Sequence, residues 1–218
     1  MNLYNLPVYF RGDRNYIQGS LILSRVCTDL VEKGAISPLD DVVMTSAKFS
    51  EISNSGIAYS NTKDKHSIGS VSFVAGDQKI LVYIYKSANI PNRVDEKPSL
   101  ITNSRFKAPL DGTVWFKSAG SFDQIIDAIV QATKLAHKRI ADDLYDIWFT
   151  GLGKTKFPIF PFTDISQDIV GVLEVKPLLS RQNENVFQTL SRVTLSLGEN
   201  EPFGFNVSYA YKKKGQSL

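Results

Sequence analysis

Between Tyr9 and Gly19 the chain sets an acid between two bases and follows it with a phenol and a carboxamide. Arg11, Asp13, Arg14, Tyr16 and Gln18 all fall within eight residues. A carboxylate can take a proton from water or orient a reacting group, and a phenol can meet a carbonyl oxygen. Guanidinium groups pair with phosphate through two parallel hydrogen bonds. Asp13 and Tyr16 are therefore catalytic candidates, and Arg11, Arg14 and Gln18 are candidates for holding a substrate. Each has a plainer reading: Asp13 as a turn residue or loop ion pair beside Gly12, the arginines as solubilising charge, the Tyr16 ring as packing. His66 is the third catalytic candidate. It lies in the polar stretch Asn61-Thr62-Lys63-Asp64-Lys65-His66-Ser67, and its plainer reading is an exposed loop histidine. His137 falls in the last turn of a helix, where positive charge suits the helix dipole.

Other chemistries lack their residues. Two histidines and one cysteine without ligand spacing argue against zinc, and no cofactor is called for. Gly151-Leu152-Gly153-Lys154-Thr155 lacks the spacing of a phosphate loop and leads into no helix. There is no Gly-x-Ser-x-Gly elbow. Cys27, the single cysteine, sits in an apolar helical stretch and reads as a buried structural thiol. The net charge of +3 and pI near 8.8 are too mild for a dedicated nucleic-acid binder. They would suit a phosphate-bearing carrier. Met1–Arg14 has no signal-peptide pattern. No stretch reaches the ~18–20 apolar residues of a membrane span. A cytoplasmic protein is expected, with homo-oligomerisation left open.

The elements that must position these residues repeat. Of the 218 residues, 43 % are hydrophobic, enough for one large domain or two small ones. Val8-Tyr9-Phe10-Arg11 aligns without gaps on Val114-Trp115-Phe116-Lys117, an offset of 106 (114 minus 8), and Gln18 aligns on Gln124. A helix follows each block. The first is predicted from Gly19 to Lys33, with Ser20 capping its start and Gly34 at its left-handed end. The second is predicted from Phe122 to Ile140, opened by a capping box of Ser121 and Gln124. Strands come next in each half: Val42–Ile52, Gly56–Ser60, Ser70–Val74 and Lys79–Lys86; then Leu144–Thr150, Phe157–Phe162, Ile169–Leu179, Phe187–Leu197 and Phe203–Lys212. Both faces of Ile80–Tyr85 are apolar, which marks a central strand, and Gly76-Asp77 marks a turn. Residues 88–108, rich in proline, asparagine and charge, read as a linker between halves 1–87 and 109–218.

A strand, an apolar helix and four antiparallel strands, twice over, resembles the hot-dog fold in its double form. The resemblance implies an α+β protein of two hot-dog-like halves, each a sheet wrapping a central helix, packed as a pseudo-dimer. Phe10–Gly19 resembles the thioesterase segment in which an acid precedes the helix, with Asp13 in the acid's place. The His-Asn pair expected after it is absent, with Gln18 and Gly19 near its position. The Phe-Pro-Gly context of the dehydratase branch, whose His works with a Glu or Asp, is absent too. The resemblance implies an enzyme acting on an acyl thioester of coenzyme A or an acyl carrier protein, by hydrolysis or by β-hydroxyacyl dehydration. The first half would carry the chemistry. The alternative is a non-catalytic protein that binds a hydrophobic ligand or assembles with other subunits.

Overall fold

The computed structural model describes residues 2–14, 16–37, 42–50, 53–95, 99–106, 112–118, 122–139, 145–155, 169–183, 186–197 and 201–213. The expected strand Phe157–Phe162, the capping residue Ser121 and the basic end after Lys213 lie outside them. Two compact units emerge. The first is Met1–Pro98 with Gly153–Thr163, and the second is Ser99–Leu152 with Asp164–Leu218.

The first unit runs β1 (Tyr4–Leu6), β2 (Tyr9–Arg11), α1 (Gly19–Glu32), β3 (Val42–Phe49), β4 (Gly56–Ser60), β5 (Gly69–Ala75), β6 (Gln78–Ser87) and β7 (Asn92–Val94). Its antiparallel sheet has the order β1-β4-β6-β5-β3. β6 is central, as its two apolar faces require. Gly76, at φ 55°, makes the β5–β6 turn. Because β4 and β5 lie on opposite sides of β6, residues 61–68 cross over it. The Tyr85 hydroxyl anchors that crossing: it accepts the Asp64 N–H at 2.8 Å and donates to the Thr62 carbonyl at 2.7 Å.

α1 is buried well beyond one stripe. Ser20 to Ser24 are all buried, Leu23, Val26 and Cys27 are wholly inaccessible, and no residue from Gly19 to Val31 is exposed. A helix enclosed in this way needs apolar residues around most of its girth. The N-cap is Gln18 rather than Ser20, which is drawn into the buried first turn. At the other end Gly34 adopts φ 68° and its N–H bonds the Val31 carbonyl at 2.8 Å. Lys33 pairs with Asp29 at 2.6 Å and lies 3.9 Å over the Tyr4 ring, while the Tyr59 hydroxyl donates to Asp29. These contacts tie the helix end to β1 and β4.

The second unit runs β8 (Ile101–Phe106), β9 (Gly112–Ser118), α2 (Phe122–Lys138), β10 (Tyr145–Leu152), β11 (Ile169–Asn183), β12 (Val186–Leu197) and β13 (Phe203–Lys213). The antiparallel order is β8-β9-β11-β12-β13-β10. α2 is as enclosed as α1, with no exposed residue from Asp123 to His137. The inner strand order thus differs between units: β4 is followed across the sheet by β6 then β5, whereas β11 is followed by β12 then β13.

Residues 88–108, expected as a linker, contain two strands. β7 pairs in parallel with β2, and β8 forms the edge beyond β9. Every residue of β7, and Thr102 to Arg105 of β8, is exposed. Their pairing rests on backbone hydrogen bonds and leaves no apolar pattern in the sequence.

Candidate functional site

The first candidate centre is the connection from β2 to α1. β2 ends on Arg11, whose side chain turns inward and is only 7 % exposed. Its Nη2 reaches the Tyr9 hydroxyl at 3.4 Å, and its guanidinium lies 5.7 Å from the centre of that ring. Gly12 then takes φ 53°, a left-handed conformation that glycine adopts without a Cβ clash. Its N–H donates to the Val94 carbonyl at 2.9 Å, and the Arg14 N–H donates to the Arg11 carbonyl at 3.2 Å. Asp13 stands exposed at the tip of this turn, with Arg14 and Tyr16 half-buried after it.

Ile17 pins the far side of the loop. It is 2 % exposed, and its N–H donates to the Ser53 carbonyl at 2.7 Å. Gln18, extended at φ −72° and ψ 137°, accepts the Ile22 N–H on its carbonyl at 3.1 Å and so opens α1. Its side chain makes no capping bond, and no acid stands in the first turn. The first N–H groups of an α-helix have no partner within it, and they carry the positive end of the dipole. Asp13, Arg14, Tyr16 and Gln18 therefore share one short, anchored connection leading to a helix start. His66 does not belong to it. Ile17 bridges to Ser53, ahead of β4, whereas the exposed His66 lies in the crossing beyond β4's other end, its N–H bonded to Asp64 at 2.9 Å.

The second unit holds a buried polar network that the sequence reading missed. His137 is wholly inaccessible. Its Nε2 lies 3.0 Å from the Ser191 hydroxyl, and its Nδ1 lies 3.1 Å from the Thr189 hydroxyl and also meets the Tyr211 hydroxyl. Tyr209 stacks on the ring at 4.7 Å, and its hydroxyl lies 2.5 Å from that of Thr133 and donates to the Val130 carbonyl at 3.0 Å. Burial lowers the His137 pKa from 6.5 to about 4 and raises that of Tyr211 to about 12. Both ring nitrogens of His137 are engaged and no face is open, so the imidazole stays neutral and structural.

The signal for this network lay in β12. Its inward positions read Thr189, Ser191, Val193, Leu195, and two buried hydroxyls demand buried partners. Asp127 was missed as well. It is 6 % exposed, among the buried Ile125, Ile126, Ala128 and Ile129 of α2. A carboxylate inside an apolar run is the pattern that would have revealed it. One turn on, Gln131 accepts the Leu100 N–H at 3.0 Å and so ties α2 to the chain entering β8. Among the described residues no group of acids, histidines or cysteines is arranged to hold a metal ion.

No protein-family profile matches the chain, and no curated protein matches it in sequence. Solved structures match its architecture. The dehydratase domain of PpsC from Mycobacterium tuberculosis, in complex with C12:1-CoA, aligns at TM-score 0.51 and 9 % identity over 91 % of this chain and 85 % of that one. The tesB protein of Mycobacterium avium subs paratuberculosis aligns at 0.54 and 10 % identity, over 94 % and 91 %. The chain has the hot-dog fold. GphF Dehydratase 1 shares this architecture at TM-score 0.51 and 7 % identity, over 95 % and 88 %. At such identities the shared property is the hot-dog fold itself, a large antiparallel sheet with two enclosed helices. Among the described residues no helix is long and apolar enough to cross a membrane.

Proposed function

We propose that the protein processes acyl thioesters of coenzyme A or an acyl carrier protein, each unit being one hot-dog element of a double form, and that hydrolysis is its reaction. The observation that carries this reading is the anchored loop before α1, which holds Asp13 five residues (18 minus 13) ahead of an N-cap, Gln18, whose side chain makes no capping bond. The thioester carbonyl would accept hydrogen bonds from the first N–H groups of α1, where the dipole favours developing negative charge. Asp13 would take a proton from water as its oxygen attacks the carbonyl carbon. Collapse of the tetrahedral intermediate would expel the thiolate, which then takes up a proton. Arg14, half-buried in the same loop, would be the cation that meets a phosphate of the carrier. Dehydration would call on an imidazole, and His137 is sealed while His66 lies beyond the other end of β4.

A second reading moves the acid to Asp127, because it is the buried carboxylate on a central helix and Asp13 is exposed. One experiment separates these. The protein is incubated with a panel of acyl-CoA and acyl-carrier thioesters while free thiol and enoyl absorbance are followed. Thiol release without enoyl signal is expected. Asp13→Asn should lower the rate by about tenfold or more, with Asp127→Asn changing it less than about threefold. The reverse ranking assigns the acid to Asp127. Tight acyl-CoA binding without turnover identifies a binding protein.

A further inference from the structure

The turn that carries Asp13 is held from outside its own segment. Arg93, in the middle of β7, reaches across the parallel pair and donates from Nη1 to two carbonyls of the β2–α1 loop. One is that of Gly12, in a short hydrogen bond, and the other is that of Arg14, at 3.1 Å. Its guanidinium also lies 5.5 Å from the centre of the Phe10 ring. Beside it, Val94 receives the Gly12 N–H at 2.9 Å. The carbonyls on either side of Asp13 therefore converge on one cationic nitrogen. Bonds from a charged donor are about twice as strong as neutral ones, and a turn held at both carbonyls has little freedom to rotate its central peptides.

We propose that Arg93 is the positioning residue of the site, fixing the Gly12–Arg14 turn so that the Asp13 carboxylate keeps one direction relative to the start of α1. This rests on the reading of Asp13 as the acting carboxylate. The two hydrogen bonds that hold the turn go from Arg93 to backbone carbonyls, and Arg93 acts through Asp13. β7 is thereby a working part of the first unit, although its three residues are exposed and bury no core.

The test uses the full chain and two independent readouts. In hydrogen exchange, Arg93→Gln should speed exchange of the peptide covering the β2–α1 loop by about tenfold, leaving α1 and β4–β6 as in the parent; Arg93→Lys, which keeps a cationic donor, should restore much of the protection. Unchanged exchange in Arg93→Gln overturns the proposal, whatever the activity. In kinetics, Arg93→Gln should lower kcat by about fivefold while KM moves less than about twofold, and in an Asp13→Asn background it should cost nothing further. Losses that multiply, or a change confined to KM, overturn the action through Asp13. If Asp13→Asn alone leaves the rate intact while Arg93→Gln loosens the loop, the hold on the turn stands and the catalytic reading of Asp13 is the part that fails.

Discussion

The sealed imidazole of His137 makes the stability of the protein depend on acid in a way that can be calculated. In the folded chain its partners are the hydroxyls of Ser191, Thr189 and Tyr211, none of which carries a compensating negative charge. The unfolded chain takes up a proton near pH 6.5, and the folded one refuses it until about 4. The stability that His137 contributes is therefore whole above pH 6.5 and drains as the pH falls towards 4. Two and a half units, at about 1.4 kcal/mol each, give about 3 kcal/mol in the acid limit and about 2 kcal/mol at about pH 5. Other groups titrate in the same range, so the measurement is a difference. Urea unfolding of the parent and of His137→Gln is compared at about pH 7.5 and about pH 5. Glutamine can occupy the network without titrating, so the parent should lose about 2 kcal/mol more than the variant over this interval. Equal losses in the two proteins would refute the reasoning, since they would mean that the ring reaches a charged partner or water in the folded state.

Two further outcomes follow from particular contacts. Tyr85→Phe removes both hydrogen bonds that hold the crossing over β6, and it should cost about 1–2 kcal/mol in urea unfolding and speed tryptic cleavage after Lys63 and Lys65. Gly56→Ala would bring a Cβ to 2.6 Å from the Asn89 carbonyl oxygen that accepts the Gly56 N–H, so it should lower stability by about 2 kcal/mol and shift the thermal midpoint down accordingly.

How much of this was legible in the sequence depended on how much each element buries. β4 was expected at Gly56–Ser60 and is found there, all five residues buried. β6 declared its central place through two apolar faces, and Gly34 and Gly76 declared their left-handed turns. β7 and β8 left no trace because most of their residues are exposed and the strands pair through backbone hydrogen bonds. Arg11 read as a surface cation because nothing local showed that its strand turns it inward against Tyr9. Asp13 and Gln18 were readable as neighbours in sequence. Their anchoring was not, since it comes from Ser53, Arg93 and Val94, residues far along the chain. The His137 network was hidden for the same reason: its members come from α2, β12 and β13.

The two units are interleaved along the polypeptide. Thr155, which follows most of the second unit's early strands, exchanges both backbone hydrogen bonds with Met44 in β3, at 3.0 and 2.9 Å, across a separation of 111 residues (155 minus 44). During synthesis the nascent first unit cannot close that bridge until Thr155 has been added to the chain. A break in the chain at any one point between Met44 and Thr155 would leave these partners on different fragments, so severed pieces should recover the native first unit only when mixed.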